Sequence, residues 1–218
     1  MTPRKTSNDD MRIAGKYTAQ QWMALKSCLQ STPSPDLWDL AFRCFYLTRI
    51  DTRYLQPIAS IQRDDTESGE GFAIVALFCS LIEFLESCER GYNFRLLKKG
   101  EKLQPFEYTQ REAGGYFKDF LKTRKPFNTK IRKELVDSFY SDVRCGLLHE
   151  ARTKGGWLIS TEESVGELVH NKAGRKTLFR NQLILALKKY FVDYRTRLLK
   201  DPMTQQAFFR KFDHLCKL

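Results

Sequence analysis

Residues 71–91, GFAIVALFCSLIEFLESCERG, constrain this chain more than any other stretch. The segment is apolar nearly all round at helical spacing, so a helix formed here must be surrounded by other elements. Yet on a 3.6-residue wheel Ala76, Cys79, Ser80, Glu83, Ser87 and Arg90 share one stripe. Glu83, set within an apolar run, needs water or a partner, because a buried unpaired carboxylate is expensive. The longest apolar run, residues 73–82, is about half the roughly 20 residues of a membrane span, and no membrane role is expected.

A central helix of this kind requires others to cover it. YTAQQWMALKSCL at 17–29 carries Trp22, Leu25 and Leu29 on one face before STPSPD ends it. Asp36 is then expected to cap a longer helix, with Leu37, Leu40, Ala41, Cys44, Phe45, Leu47 and Tyr54 in helical rhythm and a break before Pro57. QRDDTESGEG reads as a loop. Residues 91–130 mix aromatic and basic positions and read as short helices and loops, with Phe117 and Phe120 assigned to the core. ELVDSFYSDVRCGLLHEA predicts a helix with Leu135, Val136, Phe139, Tyr140, Val143 and Leu147 on one face, broken by RTKGG. Trp157-Leu-Ile and the stretch around Glu167-Leu-Val-His with HNKAGRKTLF predict a small β-hairpin. An amphipathic helix at 181–199 and a last one opening at Pro202 complete the chain. The expected architecture is therefore mainly α, a helical bundle with one small β element, in a single domain over 17–218 after a polar, mobile tail at 1–16.

Composition narrows the function classes. Hydrophobic residues at 42% and charged ones at 29% are globular values rather than disordered ones. Thirty-seven Lys and Arg against 26 Asp and Glu give +11, a balance that favours phosphate-bearing partners. Basic clusters with interleaved aromatics mark Lys122, Arg124, Lys125, Arg152 and Lys154 as candidate RNA contacts. The six cysteines are scattered without a C-x-x-C, which argues against a zinc site or disulfide framework and for a reducing cytoplasm. No G-x-S-x-G, P-loop or dinucleotide fingerprint is present, and neither a metal nor a cofactor is called for.

The segment DVRCGLLHEARTKGGW then raises a specific chemistry. On an ideal helix Arg144 and His149 lie about 140° apart, flanking the apolar arc centred on Val143, while Leu148 and Cys145 face away from the core. An outward Leu between Arg and His marks a covered surface, and a twofold-related copy packed there would bring two Arg and two His to one seam. Gly146 costs roughly 1 kcal/mol relative to Ala in a helix, so close approach of another backbone is its expected reason. Glu150 falls on the apolar arc and needs a partner. The bland alternatives are a surface salt bridge from Arg144 to Asp142 or Glu150, and a helix-terminal cation at His149. His170, in an expected turn, and His214 read as surface residues.

Arg144-Cys-Gly-Leu-Leu-His149 resembles the R-x4-6-H motif of the HEPN domain family. FYSDVRCGLLHEARTKGGWLI is similar to its motif helix, basic turn and short strand, and GFAIVALFCSLIEFLES to the helix beside it, so the resemblance covers roughly residues 70–200. It implies a dimeric helical bundle and a metal-independent endoribonuclease with Arg144 and His149 as catalytic residues, leaving 2′,3′-cyclic phosphate ends, of a toxin–antitoxin or antiviral-defence kind held in check by an antitoxin or effector protein. Imidazole titrates near neutrality and suits proton transfer at a ribose 2′-hydroxyl, while guanidinium suits phosphate charge. Glu83, Cys145 and Glu150 are candidate supporting residues. Cys145 stands where family members often carry Asn, Asp or His, which puts the strength of catalysis in question. The rival expectation is a non-catalytic HEPN module that binds RNA, a nucleotide or a protein.

Overall fold

The computed structural model describes residues 11–63, 69–162 and 166–217. Its described residues are mainly helical, with eight helices and three small sheets. At the N-terminus β1 (Arg12–Ala14) and β2 (Tyr17–Thr18) pair antiparallel, with Ile13 and Ala14 buried in the core. The tail expected over 1–16 is corrected from residue 11 on, where apolar side chains at 13 and 14 give this strand a reason to pack; residues 1–10 lie outside the described part.

Helix α1 (Ala19–Ser31) opens with a capping box in which the Thr18 hydroxyl and the Gln21 side chain satisfy each other's backbone amides. Helix α2 (35–63) is continuous, passing from Pro35–Ala41 through π-helical turns at Phe42–Leu47 and Asp51–Leu55 to Gln56–Arg63. Its cap is Ser34, whose hydroxyl accepts from the Leu37 amide, and not Asp36, which sits in the first turn. Pro35 decides this, since proline is favoured at the first helical position and so fixes the cap one residue earlier. The break expected before Pro57 does not occur, because Pro57 comes after a wide π turn that relieves the clash of its ring with the preceding turn.

Helix α3 (Glu70–Arg90) is the central helix, covered by α2 and by α4 (Gln110–Thr123), α6 (133–150), α7 (Arg180–Leu198) and α8 (Pro202–Leu215). By length and a mean hydropathy of 1.8 it alone among the described residues could cross a membrane, yet its apolar side chains Ile74, Val75, Phe78, Leu81, Ile82 and Leu85 are fully buried in the protein. The expected loop QRDDTESGEG is helical at both ends, since Gln62 and Arg63 close α2 and Glu70 opens α3; residues 64–68 lie outside the described part. Beyond α3, β3 (Asn93–Phe94) and β4 (Glu107–Tyr108) pair in parallel across a basic loop, and α4 then runs for 14 residues rather than as a short helix. Phe117 and Phe120 are buried, as expected, against Phe139 and Tyr190. The short α5 (Phe127–Lys130) leads into α6.

Two buried ion clusters clamp these helices. Glu86, fully buried at 0% exposure, accepts from Arg90 at 2.8 Å and from Arg124 at 2.9 and 3.0 Å. Glu89 binds Arg197 at 2.6 and 2.7 Å and accepts from the Tyr190 hydroxyl at 2.8 Å. Arg124, a candidate RNA contact by sequence, is thereby engaged in holding α4 on α3, with 28% of its side chain left exposed.

After α6, β5 (Trp157–Ser160), β6 (Val169–Lys172) and β7 (Arg175–Phe179) form one sheet in the order β5-β7-β6. The hairpin joins β6 to β7, and β5 pairs in parallel with β7, which corrects the expected pairing of the 157 and 167 segments. The tight turn at Ala173 and Gly174, both at positive φ (50° and 78°), sets that register. One hydrophobic core runs from Ile13 to Phe212.

Candidate functional site

Helix α6 changes pitch in its middle: Lys133–Ser138 is α-helical, Phe139–Arg144 is π-helical and Cys145–Glu150 is α-helical again. The extra residue in a π turn rotates the residues beyond it about the helix axis, and such turns recur at functional sites. Here the turn ends on Arg144, whose side chain is only 10% exposed and points to α3. Its Nε and Nη2 both donate to Glu83 Oε1, at 3.0 and 2.7 Å. The Tyr140 ring lies under the guanidinium, 5.5 Å from centroid to Cζ.

The electrostatics are set by that packing. Burial pulls the Arg144 pKa down, but the charge and hydrogen bond of Glu83, with Tyr140 and Cys145 adding, outweigh it and leave it above its ordinary value. For Glu83 burial is the larger effect: it raises the carboxyl above its usual range despite the pull of Arg144. Burial likewise pushes the Cys79 thiol, on the next turn of α3, well above its usual value. Tyr140 is raised by burial too, against the pull of Arg144 and with Cys145 adding to the rise.

His149 is placed differently. It sits in the last turn, exposed, next to Leu148, which is 51% exposed. The helix ends at Ala151 in the left-handed conformation, and the chain folds back so that the Arg152 amide reaches the Gly146 carbonyl at 3.4 Å. A Cβ on Gly146 would stand 2.5 Å from the Arg152 carbonyl oxygen, so the close backbone that this glycine admits is the chain's own turn. The Lys154 amide then donates to the Asp142 carbonyl at 2.9 Å, and Trp157 packs edge-on against Phe139, 5.3 Å away, so β5 is anchored directly to the π turn.

Of the residues picked from sequence, the structure joins Glu83, Arg144 and Cys145 at the α3–α6 seam and leaves His149 outside it. Arg144 pairs with Glu83 rather than with Asp142 or Glu150. Glu150 is exposed, not on a buried arc, and pairs with Arg152 at 3.0 Å and with Lys154. Its angle on the wheel suits the core, but it lies past the end of the elements that cover α6. Lys122 leans on Asp137 at 3.6 Å, while Lys125 is exposed. His170 belongs to β6 rather than to a turn, its Nδ1 3.0 Å from Glu167. His214 is half-buried on α8, and burial lowers its pKa. Tyr140, the ring under the guanidinium, reads from sequence only as a core position. Its place four residues before Arg144, on the same side of the helix, is the signal that could have found it.

No family model, curated protein or solved structure matches this chain.

Proposed function

We propose that this chain is a metal-independent endoribonuclease of the HEPN type, acting as a homodimer and cutting RNA to 2′,3′-cyclic phosphate ends through Arg144 and His149. One observation carries this reading: a guanidinium kept charged by a carboxylate on the neighbouring helix shares its own helix with a solvent-facing His149 and a solvent-facing Leu148. In this reading His149 takes the proton from the 2′-hydroxyl as that oxygen attacks phosphorus, or returns one to the departing 5′-oxygen. Arg144 offsets the negative charge that develops on the phosphate. The guanidinium sits in the seam and the imidazole outside it, so the reading requires a second copy of the chain at Leu148 to complete the site. A toxin or antiviral-defence role, and a controlling antitoxin or effector, rest on the family resemblance alone.

A second reading has its own support. Both Arg144 hydrogen bonds end on Glu83, as in a purely structural ion pair, and this favours a non-catalytic HEPN module that binds RNA, a nucleotide or a protein. The deciding experiment incubates the protein with labelled RNA in EDTA beside Arg144→Ala and His149→Ala. Cyclic-phosphate fragments that disappear in both variants support the nuclease; intact RNA with folded, dimeric protein supports the binding module.

A further inference from the structure

The sheet after the motif helix has one face on the core and one in solvent. Side chains alternate along a strand, so the inner face takes Trp157, Ile159, Val169, Lys176 and Leu178. The outer face takes Leu158, His170, Lys172, Arg175 and Thr177 toward the hairpin, and at its other end Ser160 and the buried Phe179. The register aligns Leu158 and His170 on either side of Thr177, and sets Lys172 directly opposite Arg175.

That last pair is a local conflict. Like charges directly opposite each other destabilise a β-ladder. No described carboxylate pairs with Lys172 or Arg175, and Glu167, the acid nearest in sequence, is turned to His170. The turn between them is also strained, with Ala173 in a region that favours glycine or asparagine. A short turn thus holds two cations side by side at the tip of a hairpin where the fold gains nothing from them. Such conflicts between local rules and structure concentrate at functional sites. His170, Lys172, Ala173, Arg175 and Thr177 also line a shallow hollow of about 440 Å³.

We propose that this outer face binds the phosphodiester backbone of single-stranded RNA. Lys172 and Arg175 take phosphates, Thr177 and His170 supply hydrogen-bonding groups in the hollow, and Leu158, 47% exposed, gives a sugar or base an apolar seat. Of this face, Leu158 lies on β5, the strand that one turn carries away from His149, and Lys172 and Arg175 lie at the end of the sheet where β5 begins. The identity of the polyanion as RNA rests on the ribonuclease reading, whereas the surface itself does not.

The test measures binding without cleavage, by fluorescence anisotropy with a short 2′-O-methyl oligoribonucleotide, which lacks the attacking hydroxyl, over a salt series. Lys172→Gln/Arg175→Gln is expected to weaken binding about tenfold and to flatten the log–log salt slope by about 1.4, the contribution of two phosphate contacts on a single strand. Lys172→Glu is expected to weaken binding while raising the Tm, because it turns a repulsive cross-strand pair into an attractive one; a merely structural lysine would not separate the two. The control Lys98→Gln/Lys99→Gln removes two exposed cations from the β3–β4 loop and should leave affinity unchanged. The inference is overturned by unchanged affinity and slope in the hairpin variants, by an equal loss in the control, or by a wild type that binds no oligonucleotide. Tighter binding of poly-glutamate than of the oligonucleotide overturns it as well, and would assign the face to an acidic protein. Wild-type protein that cuts RNA while the hairpin variants bind normally removes this inference and leaves the ribonuclease; hairpin-dependent binding in a protein that cuts nothing does the reverse.

Discussion

Replacing Arg144 with Gln separates the structural from the chemical use of this residue. The wild-type pair is mostly out of solvent, Arg144 at 10% and Glu83 at 20% side-chain exposure, and held by two hydrogen bonds to one oxygen. Removing one partner of a buried pair costs about 3–5 kcal/mol because the other charge is stranded. Glu83 keeps some access to water and can take up a proton, so the expected cost at neutral pH is about 2–3 kcal/mol. For a chain of this size that lowers the Tm by about 5–10 °C. The double variant Glu83→Gln/Arg144→Gln, which strands no charge, should return to within about 1 kcal/mol of wild type. The pH dependence has a definite sign. Since the folded-state pKa of Glu83 lies above its unfolded value, the folded chain binds this proton more tightly. Its contribution is greatest below the ordinary carboxylate range and declines as pH rises from there to the raised value. Without Arg144 that value rises further, so the Tm difference between variant and wild type should shrink on acidification. Thermal melts of wild type, both single variants and the double variant across pH check all of this. A wild-type Tm for Arg144→Gln at neutral pH, or strict additivity in the double variant, would refute the claim that the pair anchors α6 to α3.

The remaining expectations come from the same geometry. His149→Ala, at an exposed position, should change stability by less than about 0.5 kcal/mol yet abolish RNA cleavage; a large fall in Tm would show that the imidazole is structural. Gly146→Ala gains about 1 kcal/mol of helix preference but forces a Cβ against the Arg152 carbonyl, so a net loss of about 1–2 kcal/mol is expected by denaturant titration. On the proposed homodimer, Leu148→Glu should leave the Tm of the protomer intact and shift sedimentation velocity from dimer toward monomer; a wild type that sediments as a monomer, or a variant that stays dimeric, would refute a seam at Leu148.

Much of the fold is legible in the sequence because it depends on local period. The all-round apolar run of α3 requires a central helix, and Phe117, Phe120, Trp22 and Leu29 take the buried positions their spacing indicates. Ser34 and Asp36 are both good capping residues, and the Pro between them carries the deciding information. Glu150 shows what a helical wheel omits: it reports an angle but not whether a neighbour reaches that far along the axis. The residues beyond Arg144 show a second gap, because 100° per residue fails through a π turn that no periodicity announces.

Charge pairing is the least legible layer, and it bears most on the site. Seen as sequence, Arg124 is one of several cations in KTRKP, and Glu86 one more acid in a helix that has to be covered. Apart in sequence, they meet because an acid at 0% exposure must be compensated, and α4 is the element that brings arginine to it. The same rule applied to Glu83 does find its partner, since Arg144 is the cation on the helix expected alongside. The difference lies in where the acids sit on α3: Glu83 falls in the middle of the polar stripe, whereas Glu86 sits at its edge and Glu89 on a face that reads as apolar. Cations with no such acid to answer, Lys172 and Arg175 above all, are therefore the part of the +11 charge that the fold leaves available to a partner.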